Sequence, residues 1–88
     1  MKRFWFRFEH EPHNSGYKGS EYGVTAYDYR DALNLLKDNV FLDDHIPPII
    51  QIIENVDVST LDAGHVLPNM YSPNLRGIWY PIGFTINN

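Results

Sequence analysis

Hydrophobic and polar residues alternate at the start of the chain, over residues 2–9 (KRFWFRFE). The phenylalanines share one side of this segment: Phe4, Phe6 and Phe8. The other side carries charged residues and a tryptophan: Arg3, Trp5, Arg7 and Glu9. A period of two predicts a β-strand with an aromatic core face. After a Gly- and Pro-containing loop over residues 10–20, residues 22–26 (YGVTA) predict a second short strand.

The period changes from two to the helical spacing at residues 28–39. Asp28 is a plausible N-cap, and Asp31 adds negative charge to the first turn. The apolar residues recur on one predicted helix face: Tyr29, Ala32, Leu33, Leu35, Leu36 and Val40. We therefore expect an amphipathic helix that begins after Asp28 and ends at Asn39, with Tyr29 on its buried stripe.

Residues 43–58 (DDHIPPIIQIIENVDV) fit two interpretations. In a helix opened by Pro47 and Pro48, the isoleucines at positions 46, 49, 50 and 53 would share a face. The density of β-branched residues equally fits a strand, and with the length of the run it favours one over residues 50–57.

The last third of the chain predicts mostly irregular structure. Residues 59–62 (STLD) could form one helical turn, and residues 63–76 predict an ordered loop. Residues 77–84 predict a final strand in which Pro81 limits pairing, which indicates an edge or a bulge. Together these elements predict a single α+β domain over residues 1–88, ββαββ-like, with one main helix on an antiparallel sheet of about four strands.

Composition narrows the possible functions. The 88 residues contain no cysteine, which excludes disulfides, thiolate catalysis and cysteine-based metal sites, and it favours a cytoplasmic location. We expect neither a signal peptide nor a membrane span, because no apolar run is long enough. Aromatic residues make up 15% of the chain, so they can serve either the core or a binding surface.

The net charge of −4 is unevenly distributed. Residues 28–62 hold eight acids against Arg30 and Lys37, whereas the first strand is basic. This balance disfavours nucleic acid as the main partner and favours a basic protein. The candidate partner-binding residues are acids of the middle segment and aromatic anchors: Asp43, Asp44, Glu54, Asp57, Asp62, Tyr71, Trp79 and Tyr80. Alternation does not decide which of Trp79 and Tyr80 belongs to the core.

Catalytic and metal motifs are weak. His10 and His13 flank Glu11-Pro12, and a second cluster is Asp43, Asp44 and His45, but neither has the spacing of a zinc enzyme. Thr60, Asp62 and His65 could be drawn as a catalytic set, yet such triplets arise by chance in any chain of this length. We therefore predict a protein that is not an enzyme and that has no metal and no cofactor.

An alternative function uses the outer face of the first strand. Arg3, Trp5 and Arg7 could stack and hold nucleobases, as the sheet of an RNA-recognition domain does. The competing interpretation is that Trp5 covers a second layer while the arginines pair with neighbours in the sheet.

Three segments together resemble a known group of proteins: KRFWFRFE, GVTAYDYRDALNLL and ENVDVSTLDAGHVLPNMYSPNLRGIWYPIGF. In that order they are similar to a widespread group of small bacterial proteins, some of which resemble the immunity proteins of contact-dependent growth inhibition systems. The resemblance covers most of the chain outside residues 10–20 and 41–48. It implies a cytoplasmic protein that forms a 1:1 complex with a cognate toxin domain, often a basic nuclease, and blocks it. It provides no catalytic residues to carry over.

Overall fold

The computed structural model describes residues 1–9, 21–41 and 46–81. In this part of the chain the strands are β1 (Lys2–Phe8), β2 (Glu21–Ala26), β3 (Ile49–Glu54) and β4 (Gly77–Tyr80). The helix α1 spans Tyr29–Asn39, and two short 3-10 turns lie at Val58–Thr60 and Leu67–Asn69. The predicted α+β architecture is confirmed.

The strands form one antiparallel sheet in the order β3-β1-β2-β4. The most aromatic strand, β1, is therefore central, and it pairs with β2 on one side and β3 on the other. On one face of the sheet this register places Phe6 beside both Tyr22 and Ile52. Because directly paired residues share a face, β1 brings its phenylalanines against the apolar residues of both neighbours.

The main core lies between this face and α1. Phe4, Phe6 and Phe8 are fully buried there, as the alternation predicts. Their partners are apolar residues of β2, of α1 and the two residues after it, and of β4: Tyr22, Val24, Ala26, Ala32, Leu36, Val40, Phe41 and Ile78. The rings of Phe8 and Phe41 meet edge-on at 5.3 Å, a favoured aromatic geometry.

The helix begins and ends where the sequence predicts. Oδ1 of Asp28 accepts a hydrogen bond of 2.8 Å from the N–H of Asp31, so Asp28 is the N-cap. The prediction for Tyr29 is wrong, since this first helical residue is exposed at the rim of the core, with its ring 6.3 Å from that of Phe6. Because Tyr29 is the first residue of the helix, no preceding helical turn covers its ring.

A second core lies on the opposite face of the sheet, under residues 55–76. It contains Trp5, Val56, Val66 and Trp79, and the two indole rings are 6.0 Å apart. Both faces of β1 are therefore buried near its centre. Gly23 makes this packing possible, because a Cβ atom at that position would lie 2.4 Å from the ring of Trp79.

The remaining boundaries follow from local geometry. The strand interpretation of the isoleucine-rich segment is confirmed, and β3 ends where Asn55 adopts a positive φ of 58°. Val56 then donates to the carbonyl of Arg3 and enters the second core. Pro81 indicates an edge or a bulge, and among the described strands β4 lies at an edge of the sheet, with a cis Tyr80–Pro81 peptide bond. The rest of the predicted final strand, residues 82–84, lies outside the described residues.

Candidate protein-binding surface

The layer that covers the second core carries exposed acids. Asp57 and Asp62 lie on it, and Glu54 lies at the end of β3 that leads into it. We call Asp57 and Asp62 the acidic surface. Over residues 38–75 the sequence contains six acids and no Lys or Arg, and Arg76 at the end of the layer pairs with Asp31. Glu54 pairs with Phe4 and therefore lies on the opposite face of the sheet, so the structure places two of the predicted acids on the covering layer.

The Asp57 carboxylate is held by neutral donors. Its Oδ1 accepts hydrogen bonds from the backbone N–H of Ser59 at 3.0 Å and from the hydroxyl of Ser59 at 2.8 Å. These bonds hold the pKa of Asp57 below its usual range, and the charge of Arg3 acts in the same direction to a smaller extent. The side chain caps the Val58–Thr60 turn and also presents a fixed negative charge to solvent.

Asp62 has a similar local role. Its Oδ1 accepts from the N–H of Gly64 at 2.9 Å, and its carbonyl accepts from the N–H of Val66 at 2.8 Å. The residue thus closes the turn that brings Val66 into the second core. Its carboxylate remains exposed and retains free acceptor positions for a partner.

Glu54 differs from these two acids because a cation already lies beside it. Its Oε2 is 2.9 Å from Nζ of Lys2, and both side chains are about half exposed. Exposed pairs of this kind contribute little to stability and exchange partners readily. The remaining predicted acids, Asp43 and Asp44, lie outside the described residues.

The three aromatic candidates have different environments. Tyr71 is 45% exposed, and its N–H donates to the carbonyl of Trp79, which ties the loop to β4. Trp79 is 1% exposed and belongs to the second core, so it cannot contact a partner in this conformation. Tyr80 is partly buried, and its ring stacks 5.3 Å from that of Trp5.

A β-bulge explains why alternation could not separate Trp79 from Tyr80. Ile78 pairs with Val24 and Tyr80 pairs with Gly23, so Trp79 and Tyr80 together lie opposite one residue of β2. Both side chains consequently reach the second core. Of the three aromatic candidates, Tyr71 is the most exposed.

The outer face of β1 is covered by the layer of residues 55–76. Trp5 is 5% exposed, and Nε of Arg3 donates to the carbonyl of Pro73 at 3.3 Å while its Nη2 donates to Asn74. Arg7 lies 4.0 Å from the Glu21 carboxylate, its sheet neighbour. The second-layer interpretation of this face is the one that the structure shows. Base stacking on Trp5 would require the loop to move away.

The isoleucines of β3 form an exposed surface that is not among the predicted binding residues. Ile50, Ile52 and Ile53 are 60%, 38% and 37% exposed, on the strand at the other edge of the sheet from β4. A run without alternation, IIQII, was the available indication, because a strand buried on one face would alternate with polar residues.

The described ranges contain neither a metal-binding cluster nor a membrane-spanning helix. Among residues 1–9, 21–41 and 46–81, no three His, Asp or Glu side chains converge as metal ligands. His10, His13 and His45 lie outside these ranges. Within them, α1 is too short to cross a membrane.

Comparison of the chain with known protein families, with curated proteins and with solved structures finds no match. The similarity to immunity proteins therefore stays a prediction that rests on the three segments quoted above.

Proposed function

We propose that this chain is an immunity protein, which binds a basic toxin domain in a 1:1 complex and blocks it. The observation that carries the proposal is the acidic surface on the layer of residues 55–76, which also carries the exposed Tyr71. The resemblance of the three segments supplies the biological setting, and a toxin that cleaves nucleic acid would present the basic face that fits this charge.

The geometry of Asp57 and Asp62 supports a role in recognition. Both carboxylates are exposed, and the hydrogen bonds that they accept come from neutral donors of Ser59 and Gly64. Their full negative charge therefore remains available to a cationic partner. Exposed charges of one sign accelerate encounter with an oppositely charged surface. Salt weakens this effect, because at an ionic strength of 0.1 M the attraction between charges is screened over a distance of about 10 Å. An exposed tyrosine in the same layer supplies an aromatic anchor, and such anchors slow dissociation.

The test uses the C-terminal domain of the protein encoded directly upstream, measured against this chain by stopped-flow mixing and titration calorimetry. The test variant is the double substitution Asp57→Asn with Asp62→Asn. Asparagine caps turns about as well as aspartate, so this variant removes two charges while preserving the local structure. We expect association to slow roughly tenfold at low salt, and growth protection in cells to weaken.

A matched control lies on the other side of the sheet. Asp28→Asn with Asp38→Asn makes the same change in net charge and also includes one capping residue, Asp28. This control should associate at the parent rate, apart from a small effect of net charge. The proposal fails if the two double variants behave alike, or if the upstream product is not toxic or does not bind.

A further inference from the structure

Within the residues that the structure describes, β3 presents an open edge that carries no charge before its last residue, Glu54. In the described part of the chain it pairs with β1 on one side and with no strand on the other. From Ile46 to Ile53 the sequence has no charged residue. Natural sheets usually protect such an edge with lysine, proline or a bulge. Here Pro47 and Pro48 precede the strand, and its register shifts opposite Arg7 and Phe8, but its centre is unprotected.

The hydrogen bonds of β1 show which backbone groups of β3 point outward. Arg3 accepts from the N–H of Val56 at 3.0 Å, and Glu9 donates to the carbonyl of Pro48 at 2.8 Å. Along a strand, the backbone N–H and C=O groups of successive residues point to opposite sides. Every second residue from Arg3 to Glu9 therefore bonds toward β3, and these include Trp5 and Arg7.

The register then assigns the two sides of β3. Trp5 pairs with Ile53 and Arg7 pairs with Gln51, so these two β3 residues direct their backbone groups inward. Ile52, which lies between them, directs its N–H and C=O to the open edge. The centre of that edge is thus an exposed isoleucine with unused backbone groups in the described part of the chain.

We propose that β3 pairs with β3 of a second copy, antiparallel and centred on Ile52, to form a two-fold homodimer. This register places Ile52 opposite Ile52 of the second copy, Gln51 opposite Ile53, and Ile50 opposite Glu54. No like charges face each other, and each Glu54 keeps Lys2 beside it. A two-fold interface needs a self-complementary strand, and β3 meets that condition because its residues before Glu54 are uncharged.

Charge also favours a second copy over a basic partner at this edge. A cationic strand would meet no carboxylate until Glu54, at the end of β3. The exposed isoleucines lie on both faces of the sheet, since Ile52 pairs with Phe6 and Ile53 with Trp5. Pairing with another copy covers both faces together, as the sheet continues through the interface.

The first test is the concentration dependence of mass by sedimentation, from about 1 to about 500 µM. We expect the weight-average mass to rise from 10.3 kDa toward twice that value in the parent chain. Ile52→Lys should keep the chain monomeric throughout, because lysine at an edge opposes pairing. Leu67→Lys is the matched control, since Leu67 is also 38% exposed but lies in the covering loop, and it should dimerise like the parent.

A cysteine experiment tests the register and does not depend on Ile52→Lys folding. The chain has no cysteine, so each single variant carries one thiol. In Ile52→Cys the two thiols lie on residues about 5.5 Å apart at Cα, within disulfide range. In Ile50→Cys they are offset by four residues, or about 13 Å, and should not cross-link with oxidised glutathione.

Several results would overturn the proposal. They are a chain that stays monomeric at the highest concentration, equal behaviour of the two lysine variants, and equal cross-linking of the two cysteine variants. A monomeric chain whose binding to the upstream product is weakened by Ile52→Lys would assign the edge to that protein instead. The double variant of Asp57 and Asp62 should dimerise normally, so failure here is distinguishable from failure of the proposed function.

Discussion

Substitution of Gly23 by alanine should destabilise the protein, because the indole of Trp79 occupies the space that a methyl group needs. The Cβ atom would lie 2.4, 2.5 and 2.6 Å from Cη2, Cζ3 and Cζ2, all of which belong to the six-membered ring. Trp79 is fully buried and packs against Trp5, so it has no free space into which to withdraw.

The size of the effect follows from two opposing contributions. Overpacking a close-packed site costs about 1–3 kcal/mol. Alanine also lowers the conformational entropy of the unfolded chain relative to glycine. Where the native backbone conformation is one that alanine adopts without strain, this stabilises the fold by roughly 0.4–1 kcal/mol and offsets part of the cost. We expect a net loss of about 1–2 kcal/mol in the free energy of unfolding, which lowers the thermal midpoint by about 4–16 °C for a domain of this size.

The measurement is urea unfolding followed by far-UV circular dichroism, with Gly64→Ala as the control. At Gly64 a Cβ atom would meet only Asp62 Oδ1, at 3.6 Å, so we expect a change within about 0.5 kcal/mol. A double-mutant cycle with Trp79→Phe then isolates the contact. Since phenylalanine lacks the fused ring, Gly23→Ala should cost less in that background. Equal costs in both backgrounds, or a Gly23→Ala variant as stable as Gly64→Ala, would refute the packing argument.

Two further predictions concern charge and burial. Arg76 donates hydrogen bonds of 2.9 and 2.5 Å to Asp31 and holds the pKa of that carboxyl below its ordinary value, with the N–H of Tyr27 helping. A depressed carboxyl pKa stabilises the fold above the pKa of the unfolded group, and this stabilisation is lost as pH falls through the folded value. Asp31→Asn should therefore lower the thermal midpoint by a few degrees at pH 7 and match the parent by about pH 2. A difference that persists at low pH would contradict this origin. The second prediction is that acrylamide quenches the folded protein several-fold less than the urea-unfolded chain, because both tryptophans, Trp5 and Trp79, are buried. Single-stranded RNA should leave the emission unchanged; a shift on addition of RNA would revive the base-stacking hypothesis for Trp5.

The features that the sequence predicts well are those set by local chemistry. The alternation in β1, the capping of α1 by Asp28 and the β-branched density of β3 each depend on near neighbours. These local preferences predict the observed elements because the tertiary contacts favour the same conformations. The local turn chemistry of Asp57 is of the same kind, since its acceptors bond a residue two positions along the chain.

The features that the sequence does not predict are set by distant contacts. Alternation in β1 does not decide whether its outer face is exposed or covered by a second layer. Residues 55–76 return to cover it, so Trp5 is buried as deeply as a core residue, and the few charges of that segment were the only indication of where the cover comes from. Pro81 indicates an edge or a bulge, but it does not place the bulge opposite Gly23, because that position arises from how β4 pairs with β2.

The position of Glu54 links the two proposed interfaces. It is one of the predicted partner-binding acids, next to the segment that carries Asp57 and Asp62, and it is also the last residue of the β3 edge. In the dimer its side chain lies opposite Ile50 of the second copy, whereas a basic partner would draw it away from Lys2. A substitution at Glu54 would therefore disturb both interfaces and could not tell them apart. Asp57 and Asp62 lie beyond the strand and Ile52 is an uncharged residue within it, so these positions separate recognition by charge from pairing through the backbone.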